Sequence, residues 1–429
     1  MKRLSAAFTS AAVVIATAGL VATAAPALAA AVGCTFDGEY VTAYVEDPAP
    51  STDYVLGVTG GGAIQFGGTS CGAATTANTR AISLVPGYSA APSPSQAPHL
   101  VIDHSNPFGP GVSTGDVNGT DHIKITLETD SLNWPLDVRG GSGADLLRAA
   151  EDGIDLDSDD DAVLDVTYHT NSNTYYRPLV TLLGKNGNDV LSSTASSVTV
   201  FVPGAGTNTL TGGPGVFDLV SFADCGCSSV AATVNGAVTP VGGTEVDTMS
   251  NIEGLICTAG ADTLDGDGND NWLEGAGGAD HVNGGAGRDT MSFQHAAQGV
   301  TVDLTAASVS GGGTAAGADF TSVESVFGTE HDDVLLGSDG MDTLDGYTGS
   351  ADLLDGRLGD DTLLESGYGH CAVDYSTAPA AVQLYFYRDP TTGSDIGQAL
   401  GGSGLDALQG CTELTMTPYG DTVHGSEVD

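Results

Sequence analysis

Carboxylates recur along the second half of this chain at a nearly fixed interval. Asp262, Asp270, Asp280 and Asp289 lie 8, 10 and 9 residues apart, and Asp333, Asp342, Asp352 and Asp361 lie 9, 10 and 9 apart. Glycines precede most of them, and two residues after each comes a larger, mostly apolar side chain: Leu264, Trp272, Val282, Met291, Leu335, Leu344, Leu354 and Leu363. Two nine-residue units make one turn of about eighteen. The pairs Asp262/Asp280, Asp270/Asp289, Asp333/Asp352 and Asp342/Asp361, separated by 18, 19, 19 and 19, are then predicted to stack. Carboxylates one strand spacing apart, roughly 4.7–4.9 Å, repel strongly unless a cation sits between them. A site of carboxylates and turn carbonyls offers only hard oxygens in flexible geometry. That suits Ca²⁺, which takes six to eight oxygens, better than Mg²⁺, which demands a tight octahedron, or transition metals, which prefer nitrogen and sulfur. The chemistry expected is the binding of several calcium ions.

Such turns need a scaffold, and each unit supplies little of one. A Gly-rich turn and a strand of about three residues cannot bury a core alone, whereas stacked units share a continuous ladder and an apolar interior. The fold class predicted is all-β, a parallel β-roll or β-solenoid built from Gly/Asp-rich nonapeptides, with a β-rich N-terminal cap. Helix is disfavoured by 62 glycines and a Thr/Val/Asp-rich remainder. Longer stretches at 216–264, 289–335 and 371–423 share a layout and end in Gly-x-Asp or Asp-Asp turns at Asp262, Asp333 or Asp421, so they are expected to continue the superhelix. Upstream, GGSGADLL gives Asp145, KNGNDVL gives Asp189, and GGPGVFDLV gives Asp218 with one residue too many before it. Residues 30–130 lack the repeat; alternating strands and a linker-like SAAPSPSQAPH at 89–99 read as a cap or an irregular beginning of the solenoid. The expected organisation is a leader at 1–29, a β-rich region at 30–130, degenerate solenoid at 131–222 and the repeat roll with its inserts at 223–429.

Residues 1–29 have the parts of a secretory signal peptide: Lys2 and Arg3, an apolar run over 11–24, and Ala27-Leu28-Ala29 as a cleavage box. The run is short and closed by Pro26, which argues against a membrane anchor, and no later segment is apolar enough to span a bilayer. Ala31-Val32-Gly33-Cys34 makes a poor lipobox. Without the leader, 9 basic residues face 55 acidic ones and the formal charge is −46, which excludes nucleic acid as a partner. All seven cysteines lie in the exported part, where disulfides persist. Cys34/Cys71 and Cys371/Cys411 could each close a loop; of Cys225, Cys227 and Cys257 only two can pair. Zinc at Cys225-Gly226-Cys227 lacks a second close pair.

At the nonapeptides the chain resembles the repeats-in-toxin family, whose consensus is G-G-x-G-x-D-x-(large apolar)-x. Gly284-Gly285-Ala286-Gly287-Arg288-Asp289-Thr290-Met291 and Gly140-Gly141-Ser142-Gly143-Ala144-Asp145-Leu146-Leu147 are full matches. The interrupted repeats, the leader, the Cys-containing N-terminal region and GIDLDSDDDAVLDVTY make it similar to secreted calcium-binding proteins of actinobacteria. The resemblance implies a Ca²⁺-filled roll with Asp carboxylates and glycine-turn carbonyls as ligands. These carry over to Asp145, Asp189, Asp262, Asp270, Asp280, Asp289, Asp333, Asp342, Asp352 and Asp361, and to Asp218 and Asp421, whose turns are imperfect. Pore-forming activity does not carry over, because no acylated pore-forming region is present.

Other chemistry finds weaker support. The run Asp155 to Asp161 starts like an EF-hand loop, yet Asp160 stands where that loop needs Gly and Val166 where it needs Glu. Gly68-Thr69-Ser70-Cys71-Gly72 matches G-x-S-x-G in letters without a strand-to-helix context, and no H-E-x-x-H occurs among nine histidines. His281 and His331 are expected at the surface, and acids are too numerous for a pair to identify a glycosidase. The function expected is that of a secreted, non-enzymatic calcium-binding protein with a structural or interaction role, whose partners besides calcium are cell-surface or extracellular polymers. The alternatives are an extracellular hydrolase with an N-terminal catalytic region, and a calcium-dependent adhesin.

Overall fold

A computed structural model describes residues 31–424, apart from 39, 47–52, 76, 78, 80, 86–98, 104–123, 129–134, 144, 151–152, 157–165, 170–178, 215–216, 241–245, 350, 368–370, 389–394 and 402–403. Residues 1–29, read above as a leader, and Asp157 to Asp161 of the acidic run lie outside the described residues. The regular secondary structure of the described residues is all strand, apart from one 3₁₀ turn at Gly313–Ala315. Among them no helix is long and apolar enough to cross a membrane. They form two compact units, one drawn from Val13–Gly226 and Glu245–Ile252, the other from Cys227–Thr244 and Glu253–Asp429.

From Val230–Thr233 to Cys371–Asp374 the strands of the second unit are three or four residues long, and in the shortest the middle residue points inward. Thr263–Asp265, His281–Asn283 and Thr362–Leu364 each bury only their central Leu264, Val282 or Leu363. Parallel pairing keeps those centres in register from coil to coil. One sheet aligns Leu255, Leu273, Met291, Val326, Leu344, Leu363 and Leu408. The other aligns Leu264 with Val282 and Phe320, and Val302 with Leu335, Leu354 and Val373. Each such side chain contributes about 1.5–3 kcal/mol by leaving water, so length of stack replaces depth of core. The long inserts enter this stack through hairpins. Val230–Thr233 and Val300–Asp303 turn back on Ala237–Pro240 and Ser308–Gly311, while pairing in parallel with the coil that follows.

The first unit obeys the same rule with few nonapeptides. Val41, Ile82, Ile125 and Val166 align down one sheet, and Leu56, Ile102, Val138, Leu182, Phe201 and Val220 down the other. Parallel coiling therefore begins at Tyr40–Glu46, inside the region that lacks the repeat. Antiparallel strands Ala31–Phe36, Ala63–Phe66 and Thr69–Thr75 close its start, tied by a Cys34–Cys71 disulfide. Cys371 and Cys411 form a second disulfide on paired strands. Cys225 and Cys227 are also disulfide-bonded, which removes them as zinc thiolates, and Cys257 is a buried free thiol. Ser70 lies in a strand with its hydroxyl donating to Gly72 O (3.3 Å), away from any strand-to-helix turn.

Candidate metal centres

Most turn aspartates sit just before or at the start of a short strand, so in-register strands bring the carboxylates into columns. Within a column the backbone N–H of one carboxylate-bearing residue donates to the side chain of its counterpart one coil later. Asp262 donates to Asp280 Oδ1 (2.9 Å), Asp333 to Asp352 (2.7 Å) and Asp342 to Asp361 (2.9 Å). In the first unit Asp145 donates to Asp189 Oδ1 (2.8 Å). The stacking expected at separations of 18 and 19 is thus a hydrogen-bonded ladder. At the end of the second unit, Asp421 Oδ1 accepts from Val382 N–H (2.8 Å). Asp218 Oδ1 accepts from Thr199 N–H (2.8 Å) despite the extra residue in its turn.

One predicted position falls outside the ladder. Asn271, not Asp270, donates to Asp289 Oδ1 (2.8 Å), and Leu273 rather than Trp272 pairs with Met291. Spacing from Asp262 to Asp289 is therefore nine throughout, and Asp270 lies one residue off the column, its Oδ1 accepting from Arg288 N–H (2.8 Å). Trp272 stays buried by packing on Phe327, ring centres 5.0 Å apart.

The columns also hold residues that the spacing did not single out. Asp189 donates to Asn208 (2.8 Å), Asn208 to Asp247 (2.7 Å), Asp289 to Glu324 (3.0 Å) and Asp361 to Asp406 (3.2 Å). Asp406 could have been found, since Gly401-Gly402-Ser403-Gly404-Leu405-Asp406-Ala407-Leu408 is a full consensus match inside an insert.

Burial and neighbouring carboxylates disfavour ionisation here. Burial, with Asp262 beside it, raises the Asp280 carboxyl to about 7. Asp361, buried beside Asp406 and Asp342, rises to about 8. Burial likewise lifts Asp189, Asp289 and Asp333 to about 6. At Asp421 the Thr417 hydroxyl holds the carboxyl below its usual range. In the metal-free fold the raised groups contribute stability that is complete below the ordinary carboxyl value near 3.8, and it is lost as pH rises through 6 to 8. A cation must displace those protons, so its affinity runs the other way and rises with pH.

The donor set fits a hard cation. Asp189 Oδ2, Asp289 Oδ2 and Asp361 Oδ2 are buried with no hydrogen-bond partner, a costly state for a charged oxygen. Each lies beneath the first glycine of its own turn: a Cβ on Gly284 would come 2.7 Å from Asp289 Oδ2, and one on Gly356 would overlap Asp361 Oδ2. A Cβ on Gly184 would overlap Asp189 Oδ2 and lie 2.6 Å from the carbonyl oxygen of Pro203, on the following coil. Carboxylate and carbonyl oxygens therefore converge where only glycine leaves room. Among the described residues no group of three His, Cys, Asp or Glu side chains could hold a metal, so the carbonyls are needed to complete any site.

No curated protein matches the chain. The model of the RTX calcium-binding nonapeptide repeat matches residues 258–291 and 327–363, in four copies, the two segments in which the aspartate columns are most regular. Over those two segments the chain carries RTX calcium-binding nonapeptide repeats.

Proposed function

We propose that the chain is a secreted, non-enzymatic calcium-binding protein in which several Ca²⁺ ions, held between stacked Gly-x-Asp turns, couple metal binding to folding. The observation that carries this reading is the set of buried, unpartnered carboxylate oxygens at Asp189, Asp289 and Asp361. Bound calcium supplies the positive charge that lets these oxygens ionise out of water. The chain's part is to fix the oxygens: strand register sets their spacing, the ladder N–H groups hold one oxygen of each carboxylate, and glycines let the carbonyls approach. Export is supported by the leader-like residues 1–29 and by the disulfides.

Calorimetric titration tests the reading. At pH 7.5 calcium is expected to bind at several sites per chain and magnesium at least tenfold more weakly, because Mg²⁺ demands a near-ideal octahedron and sheds its water reluctantly. At pH 5.5 the calcium affinity is expected to fall several-fold as the carboxyls near 6 to 8 regain their protons. Absence of calcium binding at pH 7.5, or equal response to both ions, contradicts it.

A further inference from the structure

The turns of these columns come in two backbone forms, and the residue four positions before the carboxylate distinguishes them. In the open form that residue is left-handed: Lys185 (φ +70°) before Asp189, Ala276 (φ +62°) before Asp280, Gly285 (φ +98°) before Asp289 and Arg357 (φ +65°) before Asp361. Three of these four are not glycine, so the conformation costs energy that something must offset. Its effect is to turn that residue's N–H away from the carboxylate; Arg357 N–H donates instead to Asp355 Oδ1 (2.9 Å). Oδ1 of the turn aspartate is held by the ladder, and Oδ2 accepts no hydrogen bond from the described residues.

In the closed form the same residue is not left-handed, and its N–H donates to Oδ2. Thr258 donates to Asp262 (2.8 Å), Thr329 to Asp333 (2.6 Å) and Ser338 to Asp342 (2.5 Å). Their hydroxyls donate as well, Thr258 Oγ1 to Asp262 Oδ2 (2.9 Å), Thr329 Oγ1 to Asp333 Oδ1 (3.0 Å) and Ser338 Oγ to Asp342 Oδ2 (3.0 Å). At the longer Asp218 turn, Gly213 N–H donates to Oδ2 (2.6 Å) and Thr199 N–H to Oδ1. A closed turn even works with an amide, since Asn271 Oδ1 accepts from Asp267 N–H (2.7 Å). These carboxylates have both oxygens satisfied by protein. In four pairs a closed turn stacks directly before an open one: Asp145, Asp262, Asn271 and Asp342, each accepting from the residue four before it, precede open Asp189, Asp280, Asp289 and Asp361.

We infer that the metal is taken at the open turns of Asp189, Asp280, Asp289 and Asp361, and that Asp218, Asp262, Asp333 and Asp342 close their turns by hydrogen bonding without ligating. Resting on the calcium reading above, this assigns the ions to particular carboxylates within it. Eight of the twelve candidate aspartates thereby divide by turn geometry rather than by sequence match. The turn at 346–352 is one residue longer and mixes the forms, with Tyr347 left-handed but Gly349 N–H donating to Asp352 Oδ2 (3.1 Å).

Equilibrium dialysis of the full chain against ⁴⁵Ca²⁺ at saturation tests the assignment, with circular dichroism in calcium as the check of folding. D189N, D289N and D361N are each expected to bind one ion fewer than the parent, and D262N, D333N and D342N the same number. Should the closed-turn substitutions unfold, T258V and S338A strip the hydroxyls and leave the carboxylates; they are expected to lower Tm without changing the count. An ion lost in D262N, D333N or D342N, a full count in the open-turn variants, or a changed count in T258V or S338A overturns the assignment. A parent that binds no calcium overturns the calcium reading itself, so the two failures are separable.

Discussion

Chelation of calcium with EDTA is expected to abolish most of the β signal of the purified protein in far-ultraviolet circular dichroism, and stepwise return of the ion to restore it along a sigmoidal curve. The driving imbalance is electrostatic. The chain carries a formal charge of −44, and its columns stack carboxylates on adjoining coils. Each bound ion adds about 2.7 kcal/mol when calcium stands at a hundredfold its Kd, so four open turns amount to roughly 11 kcal/mol, comparable to the whole stability of an ordinary domain at about 5–15 kcal/mol. Without those ions the buried oxygens of Asp189, Asp289 and Asp361 either hold protons or repel their neighbours. Cooperativity follows from the stack, because a coil that unfolds removes the partner surface of the next. Identical spectra in EDTA and in calcium would contradict this.

Substituting Gly359 by alanine is expected to destabilise the calcium-loaded protein by about 3 kcal/mol or more, read as a clear drop in Tm. Gly359 has φ +135°, a conformation open to glycine and strained for any L side chain, and its Cβ would overlap the carbonyl oxygen of Gly340 on the preceding coil and lie 2.9 Å from Asp361 Oδ1. To make room, two coils must separate at an open turn, which breaks the ladder and spreads the oxygens together. Gly268→Ala is the matched control: nothing lies within 4 Å of a Cβ there and its φ is not positive, so a change within about 0.5 kcal/mol is expected. A Gly359→Ala protein that melts with the parent would show that coil separation is not set by this glycine.

Much of this was legible in the residues themselves. Nine-residue spacing and the apolar residue two places on gave the strand centres Leu264, Val282, Met291, Leu335, Leu344, Leu354 and Leu363, all of which are buried. Register slipped at Asp270 because Asp and Asn are adjacent there and Trp272 is the bulkier candidate for the interior; the column accepts Asn271 because a closed turn asks for an acceptor oxygen, not a charge. Coiling at Tyr40–Glu46 was hidden because longer strands build the same solenoid without a turn motif, and only the aligned Val41, Ile82 and Ile125 reveal it. The division into open and closed turns is visible where Thr258, Thr329 or Ser338 stands four before the acid. It is invisible at glycine, which serves both forms: Gly141 N–H donates to Asp145 Oδ2 (2.9 Å), whereas Gly285 is left-handed.

Crystals of the full protein grown in calcium, with diffraction recorded at a wavelength where calcium scatters anomalously, test the central claim most directly. The account predicts anomalous peaks within about 2.3–2.6 Å of Asp189 Oδ2, Asp289 Oδ2 and Asp361 Oδ2, each also in contact with backbone carbonyl oxygens of its turn or the adjoining coil. Peaks confined to exposed acidic side chains, with those three oxygens left without a cation, would contradict it.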